Sequence, residues 1–380
     1  MYIVGKQSMN AIPKQHFHSL EALRFFAFLK VYLLHVPLQG SFPIFEYLKG
    51  GGGIGVSFFF VLSGFLITYL LAYEKIHTGN INVKRFMIRR SLRIWPLYYG
   101  FVILVFILPY DFKSLIGFHM VGGGYDLDWR FSFTFLENYK MLLLDNWPKT
   151  TPLSVFWSLC IEEQFYLAWV LVFSVISASK IKKFLLFSFV IAWVARWVEP
   201  FIFPNHTIID NDLFTNLDYF ASGGLLGYWV AKDYHLVERV INAIDYWKKM
   251  LFLWGVVLMV VFQKELLPYE PNTLFFIVRP TIIAILFTGC IAVFIPQDSS
   301  IRIKSSVLHY LGKISYGLYV YHIVFIHVVF QFFIYKNIAI DNWQTLLLFM
   351  LITLGGSIVV SSLSYYYFEK RFLAWREVLT

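Results

Sequence analysis

Charge is scarce in this chain of 380 residues: Asp, Glu, Lys and Arg make up 14% of it, against 58% hydrophobic residues. Mean hydropathy is +0.64. Soluble domains carry roughly 25% charged residues, so a soluble domain is excluded and a polytopic membrane protein is expected. Cysteine is nearly absent. Cys160 and Cys290 both fall within apolar stretches, which removes a disulfide framework and a cysteine metal site. The histidines lack compact ligand spacing, so no metal is expected. No repeat or low-complexity tract suggests inverted transporter halves. The N-terminus lacks a compact apolar core followed by a small-residue cleavage site, so no removable signal peptide is expected.

What remains is apolar sequence, broken at polar and Pro/Gly-rich points into ten stretches: 17–37, 52–73, 93–109, 153–177, 181–203, 213–231, 249–264, 273–295, 313–335 and 343–368. Most approach the roughly 20 residues needed to cross a bilayer; the seventh is the shortest. The expectation is an all-α integral membrane protein of about ten transmembrane helices in one bundle. It forms a single domain over residues 1–380, with no residues left for a soluble one. The net charge of +9 does not point to nucleic acid, because of where it lies. Of 32 Lys and Arg, 21 fall on one set of alternating connections and termini, seven on the other, and four (Arg24, Lys30, Arg196, Arg279) within stretches. The positive-inside rule makes the rich side cytoplasmic, with both termini there.

Several polar residues interrupt the apolar stretches. Ser19 to Val36 carries Glu21, Arg24, Lys30 and His35. Ionisable residues within a span are functional candidates because their burial is costly. At about 100° per residue, Arg24 and His35 lie roughly 20° apart on one helix face, with Glu21 nearby and Lys30 turned away. A plainer reading makes Glu21–Arg24 an ion pair at the membrane edge and His35 interfacial. In the second stretch Ser63 and Gly64 form a small spot suited to close helix packing. The glycine run Gly50 to Gly55 lacks the Lys-Ser/Thr of a P-loop.

Lys84, Arg85, Arg89, Arg90 and Arg93 crowd into ten residues. They suit phosphate, since guanidinium forks bind it bidentately, and equally suit membrane anchoring. The long outer connection over 110–152 holds GGGYDLDWRF, an apolar FSFTFLENYKMLLL and DNWPKTTP. Ser158, Glu162 and Tyr166 form an i, i+4, i+8 stripe, with Glu163 about 100° away. That stripe suits proton acceptance or histidine orientation, and equally helix cross-linking. Asp218 and Ser222 pair at i, i+4, and Ser315, Tyr319 and His322 make a third stripe.

Taken together these segments resemble the membrane acyltransferase-3 family, from Leu20 to about Phe372. The resemblance rests on Arg24-x10-His35, GVSFFFVLSGFLI from Gly55, RRSLRIWPLYY from Arg89 and WSLCIEEQFYL from Trp157. It extends to the Asp218 segment, ISYGLYVYH ending at His322, and a Tyr-rich stretch ending at Glu369. Ser57 stands where many members carry an acid, and Arg371 where proline is frequent. The resemblance implies O-acyl transfer, most often of acetyl, from cytoplasmic acetyl-CoA or another acyl-CoA to carbohydrate hydroxyls. It implies a multi-pass protein of a bacterial inner membrane. Arg24 and His35 match its essential first-span pair, Arg90 and Arg93 its donor-facing Arg-x-x-Arg element, and Glu162 the acid of its fourth-span motif.

The resulting scheme places donor phosphates near Arg85, Arg89, Arg90 and Arg93, with no metal. His35 serves as general base or transient acyl carrier, and Arg24 and Glu162 support it. Ser63, Ser158, Tyr166, Asp218, Tyr319 and His322 are candidates for substrate or supporting contacts. The expected partners are membrane lipid, a carbohydrate, glycan or glycolipid acceptor, and a separate extracytoplasmic protein where transfer needs one. Some relatives carry an attached SGNH-type domain for that step; none is expected here. Two rivals stand beside this scheme: a proton-coupled transporter or flippase of an envelope precursor, and a noncatalytic scaffold.

Overall fold

The computed structural model describes residues 17–379 apart from 52, 116–123, 149–151, 209, 269–272, 298 and 300. The N-terminal segment assigned to the cytoplasm, Gly52 of the glycine run, and parts of GGGYDLDWRF and DNWPKTTP therefore lie outside the described residues. Among the described residues ten long helices follow one another: α1 (His18–His35), α2 (Gly53–Thr78), α3 (Val83–Ile107), α4 (Trp157–Val175) and α5 (Ile181–Ile202), then α6 (Leu217–Lys232), α7 (Tyr246–Val261), α8 (Leu274–Val293), α9 (Ser315–Tyr335) and α10 (Trp343–Ser364). Each of the ten apolar stretches is centred on one of them. Among the described residues there is no strand, only an isolated bridge between Tyr125 and Pro148.

Seven helical segments, those containing α2, α3, α4, α5, α8, α9 and α10, are long and apolar enough to cross a membrane. The other three fall short for visible reasons. α1 carries Glu21, Arg24 and Lys30 within 18 residues, and α6 and α7 have 16 residues each. The apolar piece FSFTFLENYKMLLL is no span. It forms short helices Trp129–Phe133 and Glu137–Leu144, and its Ser132, Glu137 and Asn138 turn inward. Buried Glu137 accepts bonds from Tyr125 Oη and Ser132 Oγ, while buried Asn138 donates to Asn211 O at 2.9 Å.

The closest packing joins α2 to α6. A Cβ added at Gly64 would lie 2.1 Å from Phe220 O; one at Gly223 would lie 1.9 Å from Val61 O, and one at Gly227 2.4 Å from Phe65 O. Real Cβ atoms do not approach that closely, so glycine alone permits this crossing. Without a hydrophobic drive between helices in lipid, such backbone approach supplies much of the packing energy. The same device seats α1: a Cβ at Gly55 would meet Ala27 O at 2.6 Å, and one at Gly312 would meet Glu21 O at 1.7 Å. The packing role read for Gly64 is thus what the structure shows.

A buried ion pair ties the neighbouring helices. Arg196 Nη2 on α5 donates to Asp218 Oδ2 on α6 at 2.5 Å, both side chains being fully buried. Thr281 Oγ1 on α8 donates to the same oxygen at 2.5 Å, and Trp193 Nε1 donates to Thr281. Three helices thus converge on one carboxylate.

Gly223→Val forces the α2–α6 crossing apart and is expected to cost about 2–3 kcal/mol. Gly255→Ala, where an added Cβ meets nothing within 4 Å, serves as the neutral comparison. Asp218→Ala leaves Arg196 charged and unpaired and is expected to cost about 3–5 kcal/mol. Thermal unfolding of the detergent-purified variants measures both. Unchanged melting temperatures would show that neither contact holds the bundle.

Candidate active site

The α2–α6 crossing sets where Ser63 sits, one residue before Gly64. Its hydroxyl donates to Glu162 Oε1 on α4, and Tyr166 Oη, one turn farther along α4, donates to the same oxygen at 2.7 Å. Ser158, one turn earlier, lies 2.6 Å from Tyr319 Oη on α9, and Tyr319 Oη also donates to Val155 O at 2.7 Å. The polar stripes of α4 and α9 therefore face each other.

They enclose a narrow cavity of about 90 Å³. Eight of the thirteen candidate residues line it: Arg24, Ser63, Arg90, Arg93, Ser158, Glu162, Tyr166 and Tyr319. They come from α1, α2, α3, α4 and α9, so no short stretch of sequence contains the site. Arg90 stacks its guanidinium 5.8 Å from the Tyr166 ring, which joins the basic end of α3 to the Glu162 network. Arg93 is exposed at the cavity mouth. Among these eight, three positive side chains, four hydroxyls and a carboxylate thus surround one space. That arrangement favours an anionic or polar group entering beside apolar walls.

His35 and His322 lie beside this cavity rather than in its lining. His322 Nε2 is 3.4 Å from His35 Nδ1, with ring centroids 5.2 Å apart. Each Nδ1 faces a backbone carbonyl: His35 meets Val31 O at 2.9 Å, and His322 meets Tyr319 O at 2.7 Å. A carbonyl can only accept, so in a neutral pair both rings carry the proton on Nδ1. His322 Nε2 then accepts from His35 Nδ1–H, and His35 Nε2 keeps its lone pair. The Phe28 ring stands edge-on to His322 at 5.6 Å and fixes its plane. Tyr319 links the two regions, lining the cavity with its ring 5.7 Å from that of His322.

The remaining candidates are placed elsewhere. Arg85 and Arg89 do not line the cavity. The Arg85 backbone N–H donates to Asn82 Oδ1, the cap of α3. Asp218 belongs to the Arg196 pair. Glu162 accepts from Ser63 and Tyr166, and the side chain that meets His35 Nδ1 is His322. Lys30 turns away as the helix arithmetic requires, and its Nζ donates to Leu48 O and Gly50 O, both at 2.6 Å.

Two features escaped the sequence. Trp95 Nε1 holds Glu163 Oε2 at 2.9 Å, and Tyr316 lines the cavity while its hydroxyl donates to Ile94 O. The available signal for the second was the Ser315–Tyr316 start of α9, which carries two polar side chains where a span begins.

Comparison with known proteins agrees with this architecture. The acyltransferase domain family matches residues 17–362. The chain is 34% identical over 161 residues to the peptidoglycan O-acetyltransferase of Listeria monocytogenes, covering 41% of this chain and 24% of that protein. It is 34% identical over 158 residues to a putative peptidoglycan O-acetyltransferase of Bacillus subtilis, covering 40% and 22%. It is 25% identical over 387 aligned positions to a putative O-acetyltransferase of Staphylococcus aureus, covering 93% and 56%. The chain thus spans little more than half of the length of these relatives at best, and less than a quarter of the first two. No solved structure matches it. From Phe17 to Ser362, through every helix that lines the cavity, this chain belongs to the acyltransferase-3 family.

Proposed function

We propose that the chain is a membrane O-acyltransferase that moves an acyl group, acetyl by default, from cytoplasmic acyl-CoA to a hydroxyl of a carbohydrate acceptor. The observation that carries this reading is the His35–His322 pair, in which each Nδ1 lies against a backbone carbonyl, an arrangement that leaves the Nε2 of a neutral His35 unprotonated. An imidazole in that state can take a proton from a hydroxyl or attack a carbonyl itself. Family membership and the O-acetyltransferase names of the relatives support acyl transfer over transport. The peptidoglycan named for two of them supports a glycan acceptor.

In this reading the ten long helices all cross the membrane, and the 21 basic residues on one side put both termini in the cytoplasm. The membrane is a bacterial inner membrane. Donor phosphates meet Arg90 and Arg93 at the cavity mouth, with Arg85 and Arg89 beside them on α3. The acceptor hydroxyl gives its proton to His35 Nε2 as its oxygen bonds to the thioester carbonyl carbon. The C–S bond then breaks and the proton leaves with the CoA sulfur. Alternatively, His35 Nε2 itself attacks the thioester carbonyl carbon and expels the CoA thiolate; the acceptor hydroxyl oxygen then displaces the imidazole from the acyl carbon, and the hydroxyl proton goes to the thiolate. Arg24, about 16 Å back along α1 from His35, faces the negative charge of the donor in the inner cavity. His322 is a positioning residue: its Nε2 holds the His35 Nδ1–H and so stabilises the imidazolium. Glu162 holds Ser63 and Tyr166 in the cavity wall. Transfer to the final acceptor falls to this chain or to a separate extracytoplasmic partner.

Purified protein in nanodiscs, given radiolabelled acetyl-CoA and a crude envelope acceptor fraction, tests the reading. His35→Ala at matched folded abundance is expected to lose about 10²–10⁴-fold in label transfer. Equal transfer by wild type and variant would remove His35 from the chemistry. Substrate movement across the bilayer without CoA release would establish the transporter reading instead.

His322→Ala is expected to cost about 10–100-fold, as loss of an orienting partner does. His322→Gln, whose amide oxygen can accept the same bond, should recover part of that loss. Identical rates for the two variants would deny His322 a positioning role.

A further inference from the structure

A second cavity, of about 430 Å³, opens at the end of the bundle where α2 begins. It lies directly beyond the first. On α2 it touches Gly53, Ile54 and Ser57, where the first cavity begins at Val56 and continues inward. On α4 it touches Trp157, where the first begins at Ser158. The two spaces are thus consecutive along both helices. On α1 as well, Arg24 lines the first and Leu34, the residue before His35, lines the second.

Three buried polar atoms from residues around this second space have no hydrogen-bond partner: Asp210 Oδ1, Asn211 Nδ2 and Gln263 Oε1. Burying a polar atom unpaired is costly, and a native fold tolerates it mainly where something else completes the bond. Nor are these side chains on a loose loop. The Asp210 N–H donates to the Glu199 carboxylate at 3.1 Å, and Asn216 Nδ2 donates to Asp210 O at 2.7 Å. Asn138 Nδ2 holds Asn211 O, and the Gln263 amide is packed so tightly on Gly51 that a Cβ there would lie 2.6 Å from it.

Two acceptors and a donor around one space call for groups that both give and take hydrogen bonds. Hydroxyls do so, and they satisfy the Asn211 and Gln263 amides whichever way each is turned. Trp157 supplies an apolar aromatic wall to the same space, as the C–H face of a sugar ring requires. We propose that this outer cavity is the acceptor subsite: a sugar ring of a surface glycan sits there, with hydroxyls on Asp210, Asn211 and Gln263 and one face on Trp157. The proposal deepens the acyl-transfer reading and rests on it for the word acceptor.

Sugar binding by the full chain in nanodiscs, without donor, tests the cavity itself. The probes are chitotetraose and a soluble muropeptide mixture, titrated calorimetrically. Wild type is expected to bind at least one of them. Asn211→Ala and Gln263→Ala should each weaken that binding at least tenfold. Gly53→Tyr should abolish it by occupying the cavity, since an added Cβ at Gly53 meets nothing within 4 Å. Melting temperatures identify any variant that fails to fold, and at least one of the three must remain folded to be read. No binding of either probe by wild type, or unchanged binding in the folded variants, overturns the proposal. Acetyl transfer is scored separately. Asn211-dependent sugar binding with no transfer would sink the catalytic reading and leave a sugar site. Transfer with Asn211-independent binding would sink the subsite alone.

Discussion

Everything in this bundle is placed relative to the backbone contact between α2 and α6. Gly64, Gly223 and Gly227 let two helices touch carbonyl to Cα, which no other residue type allows. The crossing has two consequences along the sequence. On α2 it fixes Ser63, next to Gly64, in reach of Glu162. On α6 it fixes Asp218, two residues before Phe220, in reach of Arg196 and Thr281. One geometric constraint thus orders a network that lines the cavity and another that locks α5, α6 and α8 beside it. The ring stacking of Phe165 on Phe220, with centroids 3.9 Å apart, brings α4 to the same crossing.

Polar groups within the bundle follow a common economy. Several cations drawn into the apolar interior are matched by specific oxygens. Lys30 takes two carbonyls at the end of the Pro43–Lys49 helix and the glycine after it, Lys75 takes Ser174 O, and Arg196 takes Asp218. Burial of a charge is tolerable only on those terms. Arg24, Arg90 and Arg93 meet around the cavity that Glu162 also lines. Sequence spacing alone does not reveal which cations hold helices together and which line a space.

How much was legible in the sequence follows from the range of each signal. Apolar length and charge breaks are local, so all ten stretches coincide with helices, with ends displaced by a few residues. The α3 helix begins ten residues before its apolar stretch because basic residues Lys84 to Arg90 continue the helix into polar surroundings, capped by Asn82. Helical stripes are also local, and Ser158–Glu162–Tyr166 and Ser315–Tyr319–His322 were both readable. Their meeting was not: Ser158 and Tyr319 are 161 residues apart, and nothing in either stripe names the other. The same limit explains the Glu162 outcome. Its depth in the helix was inferable, but whether it faced an imidazole or a serine depended on the α2–α6 crossing. Arg196 was recognised as lying within a span, yet its carboxylate stands on the next helix 22 residues away.

The position of α1 gives the arrangement its chemical sense. Arg24 in the inner cavity and Leu34 in the outer one are ten positions apart, or about 15 Å of helix axis. His35 stands at the far end of that interval, where the Nδ1–H shared with His322 and Val31 O turns its other nitrogen free. In the proposed scheme a thioester drawn from the basic end of the bundle travels along α1 to reach it, and the donor is the group that threads the protein. A long, thin arm ending in a thioester fits that demand, and a bulky glycan does not. The inner cavity, at about 90 Å³, and the outer one, at about 430 Å³, suit that division. Arg24, Arg90 and Arg93 line the inner space, and the unpartnered atoms of Asp210, Asn211 and Gln263 belong to residues around the outer one, which Lys264 and Arg279 also line.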